Sequence, residues 1–334
     1  MSAATAPVQA RRTNLADSLG SALQRNAWIL SLFGFLIVLL VFTKLIQPRY
    51  GVPGVQGLAI SVLPLALAAV AQAIVVIAGG IDLSIGSMMA LVNVVAAALM
   101  QDQPEQFGVV VVVGAILLGL VLGAVNGGVV VLTRVPDIVV TLAMSFVWAG
   151  CALLVLPAPG GGSAKWLTDI VIGSIGNEWI PKGAVVLIIV VAVVWIPLRR
   201  SRSGLSIYAV GSNRLAAFRS GVPVGRTRIL AYILTGLFAA LAGLALTTST
   251  GIGTPVPGPY SLLSVAAVVL GGVSLAGGRG GVVGPILAVV ILQLIRTDMT
   301  FLNVNTNLAT VLQGVILIGV VMVGSLVQLR RMRA

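Results

Sequence analysis

The residues in this chain that could do chemistry are few. Its 334 residues hold eight carboxylates, twenty Lys or Arg, one cysteine and no histidine. Without histidine, the commonest metal ligand and the usual proton carrier near neutrality are missing. A Ser-His-Asp triad is excluded for the same reason. A nucleotide-phosphate loop needs G-x-x-x-x-G-K-[ST]. The lysines are Lys44, Lys165 and Lys182, none behind such a run, and the glycines around Arg279 lack a Lys-Ser/Thr pair. Cys151 sits in an apolar run, where a thiolate is poorly solvated, and reads as a small packing residue. The chain is therefore expected to do no covalent chemistry by itself and to hold no cofactor or metal. What remains are polar residues set among apolar ones: Asp82 in GGIDLSIGS (79–87), Asn93, Asn126 in GAVNGG, and Asp137. Within lipid such side chains face a cavity or a neighbouring helix, and they mark solute pathways. The chemistry they suggest is transport.

The elements that must position these residues follow from composition. The chain is 58% hydrophobic and 8% charged, against about 25% charged in an ordinary soluble domain. A bilayer is the solvent that such a chain fits. The net charge of +12 does not point to nucleic acid, because the basic residues lie in short loops between apolar runs. A hydrocarbon core about 30 Å thick needs roughly 20 apolar residues as helix, and helices satisfy their own backbone there. The expected fold is an all-α polytopic membrane protein of about ten spans. They are Trp28–Ile46, Leu58–Ala78, Ser84–Leu99, Phe107–Leu132, Ile138–Leu156, Ala184–Leu198, Ile229–Thr250, Leu262–Leu275, Val282–Ile295 and Leu308–Leu326. Three are short (Ala184–Leu198, Leu262–Leu275 and Val282–Ile295). Gly and Pro crowd the turn between the last two, so these two are candidates for a re-entrant or broken pair. The first span is too long for a signal-peptide core and is expected to remain as an anchor.

With the N-terminus inside, five basic residues fall outside (Lys44, Arg49, Lys165, Lys182 and Arg296) and the other fifteen inside. That bias favours N-in and C-in, and an even number of spans. The domain reading is a cytoplasmic segment 1–27, a transmembrane domain 28–327 and a cytoplasmic tail 328–334. An external loop, 157–183, contains a flexible PGGGS stretch. A cytoplasmic loop, 199–228, carries seven arginines and no acid. Within it, 212–220 reads as a short helix with Ser212 or Asn213 as cap, Leu215 and Phe218 on one face, and Gly221 as stop. An apolar face on a capped helix suits a docking element better than a plain basic loop. Segment 11–25, with Leu15, Leu19 and Leu23 four apart, is a candidate surface helix.

Asn93, Asn126 and Ser87 are candidate pathway residues. For the two asparagines, interhelical hydrogen bonding as packing glue is an open alternative. Asp82 precedes Ser84, and both can accept from the first free amides of the third span, where the helix dipole favours negative charge. With Gly79 and Gly80 they form a candidate inner gate or helix cap. Gly271 and Gly272, in GGVSLAGG (271–278), are candidates for a matching turn. Whether the two stretches are an internal repeat or a coincidence of glycines stays open at this level.

Four stretches, GGIDLSIGS (79–87), GAVNGGVVVLTRVPDIVVTLAM (123–144), YAVGSNRLAAFRSGV (208–222) and AAVVLGGVSLAGGRGGVVGPILAVVIL (266–292), together resemble the membrane permease subunits of ribose-type bacterial ABC importers. The resemblance implies a multi-pass protein of the bacterial inner membrane, surrounded by lipid, that passes a small sugar by alternating access. It implies three protein partners: a cytoplasmic ATPase subunit, an external solute-binding protein, and a second permease subunit, the same or similar. It also places the loop helix of 199–228 in a cleft of the ATPase, with Gly211, Asn213, Arg214, Ala216, Ala217, Phe218, Arg219 and Gly221 as its coupling residues. One departure is visible: where the family has an acidic residue in that helix, this chain has Arg214, so the docking surface carries over but a specific salt bridge to the ATPase does not, and an acidic partner on a matched ATPase stays open. The alternative is an ion-coupled secondary transporter, which needs titratable groups near the bilayer midplane. Only Asp82 and Asp137 come close, both at span ends. An inert membrane scaffold would not need the Gly- and Pro-interrupted segment 271–285.

Overall fold

The computed structural model describes residues 27–256 and 258–305, with isolated positions between 308 and 322. The predicted span Leu308–Leu326 lies for the most part outside the described residues. Segment 11–25 and tail 328–334 lie wholly outside them. Twelve helices are described: α1 (Ala27–Ile46), α2 (Val52–Ile77), α3 (Ile85–Met100), α4 (Phe107–Thr133), α5 (Asp137–Val155), α6 (Lys165–Val171), α7 (Lys182–Arg200), α8 (Arg202–Ser212), α9 (Arg214–Arg219), α10 (Val224–Thr250), α11 (Tyr260–Leu270) and α12 (Val283–Phe301). Seven of them, α1, α2, α4, α5, α7, α10 and α12, are long and apolar enough to cross a membrane.

Burial sorts these helices into a centre and a shell. α2 is apolar on every side, the pattern of a helix enclosed by others, and residues 62–77 are buried without a break. It packs on α10, α11, α12 and α7, while α10 lies between α2, α3 and α4. α5 and α7 instead turn large apolar side chains outward, among them Phe146, Leu154, Ile188 and Val193. Outward apolar faces of this kind suit lipid contact.

Three spans differ from expectation. Ala184–Leu198 and Val282–Ile295 are not short: α7 and α12 each run 19 residues. α12 continues past the apolar window through Arg296 and Asp298. Leu262–Leu275 is cut at Leu270, leaving 11 residues, about 16 Å of helix at 1.5 Å per residue. Of the two segments, α11 alone is of half-span length, while α12 is long enough to cross a membrane.

The break after α11 repeats the break after α2. Gly79 has φ +80° and Gly272 φ +79°, the left-handed conformation that glycine adopts without penalty. In each turn the glycine amide bonds the carbonyl three back (Val76, Val269), and the next amide bonds the carbonyl five back (Val75, Val268). This is the Schellman closure of a helix. Gly79 therefore corresponds to Gly272, one residue off the register in which the letters GG align.

The loop 157–183 is more ordered than its glycines suggest. The amide of Gly162 bonds the carbonyl of Ala97, and Gly160 and Gly253 exchange amide–carbonyl bonds. Beyond α6, β1 (Ser174–Ile175) and β2 (Asn177–Pro181) form an antiparallel hairpin, a small departure from an all-α chain. The loop 199–228 holds two helices, α8 and α9, where one was expected.

Candidate functional site

The turn joining α2 to α3 is the centre of a buried polar network. Asp82 and Ser84 are fully buried. Asp82 Oδ1 accepts from the Ser84 amide at 2.8 Å and from the Ser84 hydroxyl at 2.6 Å. Ser84 is the N-cap of α3, but its side chain caps no amide. Its oxygen accepts instead from Asn126 Nδ2 at 2.7 Å, and Trp148 Nε1 donates to Asn126 Oδ1 at 3.1 Å. A chain of hydrogen bonds thus runs from Trp148 on α5 through Asn126 on α4 to the turn. Ser87, one helical turn on, donates to the Ser84 carbonyl. Thr141 holds the turn from α5: its hydroxyl accepts from the Leu83 amide at 3.1 Å and lies 3.2 Å from the Ile81 carbonyl.

Only one carboxylate oxygen of Asp82 is used. Oδ2 is buried with no partner among the described residues. Asp82→Asn keeps the acceptor that Ser84 uses and removes a buried charge. It is expected to leave melting temperature and solute uptake near wild type. Normal assembly with no uptake would show that the charge itself is needed.

A second cluster walls the same turn. Arg228 on α10 pairs with Asp137 Oδ1 at 2.5 Å, with side chains 14% and 12% exposed. Tyr232 donates its hydroxyl to Asp137 Oδ2 at 3.0 Å. A Cβ at Gly80 would collide with that oxygen, and it would lie 3.2 Å from the Tyr232 hydroxyl. Glycine there lets the turn close on the ion pair. Sequence reasoning left Asp137 unpartnered and counted Arg228 only toward orientation. The available signal was the spacing of Arg228 and Tyr232, which puts both on one helix face.

The candidate pathway residues separate into two places. Asn126 and Ser87 lie at the turn with Asp82 and Ser84. Asn93 is further along α3, where Nδ2 donates to Thr247 Oγ1 at 2.8 Å and Oδ1 accepts from the Thr254 amide at 2.6 Å. It joins α3 to α10 and to the connection that follows α10. Sequence reasoning missed Gln72, fully buried on α2, whose amide oxygen and nitrogen have no partner among the described residues. A lone polar residue in the Ala-rich run 66–73 was the signal for it.

At the other glycine turn, Trp28 Nε1 bonds the Leu270 carbonyl at 2.8 Å. There the backbone of Gly271 lies against that of Gly284 at the start of α12. In the 199–228 loop, Asn213 Oδ1 caps α9 by accepting from the Ala216 amide at 3.0 Å. Gly221, at φ +81°, closes that helix in a third Schellman turn through Phe218 and Ala217. Ala217 is buried, whereas Arg219, Leu215 and Phe218 are exposed, the last two at 58% and 67%.

These features define a multi-pass membrane protein built around an enclosed central helix, of the transport class. Residues 54–321 match the family described as the permease component of the branched-chain amino acid transport system. The chain belongs to this family, whose members are permeases of ABC importers. It is 30% identical to the ribose import permease protein RbsC of Escherichia coli K12 over 305 residues, covering 89% of this chain and 94% of that one. It is 29% identical to the autoinducer 2 import system permease protein LsrD of the same strain over 324 residues, covering 92% and 94%. No solved structure matches.

Proposed function

We propose that this chain is the membrane-spanning subunit of an ABC importer for a simple sugar or related polyol, driven by ATP hydrolysis on a separate subunit. The observation that carries the reading is its similarity, over nearly the full length of both chains, to two import permeases, one of them named for ribose. A solute rich in hydroxyls and free of charge needs weak, scattered polar groups along its path. The chain supplies Ser, Thr and Asn and few charges. The exposed Leu215 and Phe218 on the capped helix α9 are the surface offered to the ATPase. An external solute-binding protein and a second permease subunit complete the assembly. In this reading the chain lies in the bacterial inner membrane with ten spans and both termini inside, the arrangement that puts fifteen basic residues on the cytoplasmic side.

The test is uptake in cells expressing the chain together with the ATPase and solute-binding protein that this reading calls for. Depleting ATP with ion gradients intact is expected to stop uptake, and a protonophore alone is expected not to. The opposite pattern would make the chain an ion-coupled secondary transporter.

A further inference from the structure

The loop helices do not hang below the bundle; they are fastened to the first glycine turn. Gly211, near the end of α8, sits so close to the end of α2 that a Cβ would collide with the Ile77 carbonyl and lie 2.7 Å from the Gly278 amide. That carbonyl also accepts from the Gly278 amide at 2.9 Å. Tyr208, on the same helix, donates its hydroxyl to the Gly280 carbonyl at 2.8 Å. Burial pushes that phenol above its ordinary range, with Arg199 opposing, so it stays a donor. The end of α2, the end of α8 and the loop 277–280 thus meet backbone to backbone.

Arg214 closes the joint. The sequence left open an acidic partner for this arginine on the ATPase. In the structure its guanidinium turns back and donates to the Gly79 carbonyl of its own chain at 2.8 Å. Asp137–Arg228 is the ion pair seen among the described residues, and Arg214 is not part of one. A cation at the C-terminal end of a helix is favoured by the helix dipole, and Gly79 lies in the turn that closes α2, two residues past Ile77. Arg214 is the first residue of α9 and is followed by the exposed Leu215. From Gly79 the chain runs five residues to Ser84 and the Asn126 network.

We propose that Arg214, with the close approach of Gly211, is the joint that makes α9 and the 79–84 turn move together: a positioning residue for coupling, not an ATPase contact. This rests on the reading of the chain as an importer permease driven by a separate ATPase.

The test uses the whole complex, permease with ATPase and solute-binding protein, in proteoliposomes, measuring solute carried per ATP hydrolysed. If the wild-type complex shows no ATP-driven uptake, the functional reading itself fails. With wild-type uptake established, Arg214→Ala and Arg214→Glu are expected to keep ATP hydrolysis within about twofold and to lower the transport ratio at least fivefold. Arg214→Lys, which can still donate to a carbonyl, is expected to recover most of it. Gly211→Ala gives the same uncoupling by sterics and leaves the Arg214 side chain in place. Hydrolysis and transport falling together would place Arg214 on the ATPase contact and overturn the proposal. An unchanged ratio in Arg214→Ala would overturn it as well.

Discussion

Replacing Gly123 with leucine is expected to prevent assembly of the bundle. On α4, Gly119, Gly123 and Gly127 recur every fourth residue and form one strip along the helix. That strip lies on α10. A Cβ at Gly123 would collide with the Tyr232 carbonyl and lie 3.0 Å from Ile233 Cα, and one at Gly127 would lie 2.9 Å from Tyr232 Cβ. From the other side, a Cβ at Gly236 would collide with the Gly119 carbonyl. Membrane helices associate through close packing of this kind, since lipid tails give no hydrophobic drive to bring apolar side chains together. Forcing extra methylenes into a packed site costs about 1–3 kcal/mol where neighbours can shift; here the neighbours are backbone and cannot. The damage spreads, because Asn126 is held in the same turn as Gly127. Gly128 is the control, since a Cβ there meets nothing within 4 Å. Gly123→Leu should lose monodispersity in size-exclusion chromatography, while Gly128→Leu should elute and melt like wild type. A Gly123→Leu protein with the wild-type elution and melting profile would disprove the close approach.

The legible parts of the fold were those written locally. Apolar runs mark where helices are, because the bilayer requirement acts on each segment alone. Among the described residues, glycines mark helix ends at Gly79, Gly221, Gly251 and Gly272, because each of these turns takes a positive φ. The run Leu262–Leu275 misled for a matching reason: Val273 and Leu275 are apolar enough to continue a helix, but Gly271–Gly272 end it at Leu270. α12 misled in the other direction, since Arg296 and Asp298 end an apolar window without ending a helix. α8 was hidden by the arginines at and around its ends, Arg199, Arg200, Arg202 and Arg214, although Ile207 and Val210 on it are buried. The PGGGS loop read as flexible because its restraints, Ala97 and Gly253, are far away in sequence.

The site was less legible than the fold, and distance along the chain is the reason. Asp82 and Ser84 were visible as a pair, but the partner that occupies Ser84 is 42 residues away on α4. Spacing alone offered the Ser84 side chain as an amide cap. In the structure Asp82 accepts from the Ser84 amide, the Gly86 amide in the first turn of α3 goes to the Ser261 hydroxyl, and the Ser84 hydroxyl links Asp82 with Asn126. For Asn93, packing and pathway were both open. In the structure its amide is bonded at both ends, to Thr247 and to the Thr254 amide. Arg214 carried the opposite lesson. Its departure from the family pattern was legible, whereas its direction was not, because nothing in a sequence says whether an exposed arginine reaches outward or back.

Replacing Asp137 with alanine should cost the most stability of any single change at the 79–84 turn. The pair with Arg228 is largely buried, and the same carboxylate accepts from Tyr232. Removing one member of a buried pair leaves the other charge uncompensated, at about 3–5 kcal/mol. Since both side chains keep some exposure, about 3 kcal/mol is the expected loss. Two comparisons separate the charge from the hydrogen bond. Tyr232→Phe removes one bond to the carboxylate and should cost about 1–2 kcal/mol. Asp137→Ala combined with Arg228→Leu removes both charges and should recover part of the loss, because apolar groups of suitable volume often replace a buried pair at little cost. The measurement is unfolding of the purified chain in nanodiscs, arranged as a double-mutant cycle so that the coupling between Asp137 and Arg228 is read directly. Coupling below about 0.5 kcal/mol would mean that the pair is a surface contact of the usual small worth. Strong coupling would make the pair a fixed wall. Gly80 closes against it, and the turn that carries Asp82 and Ser84 would then keep its shape on that side even when α9 pulls on Gly79 from the other.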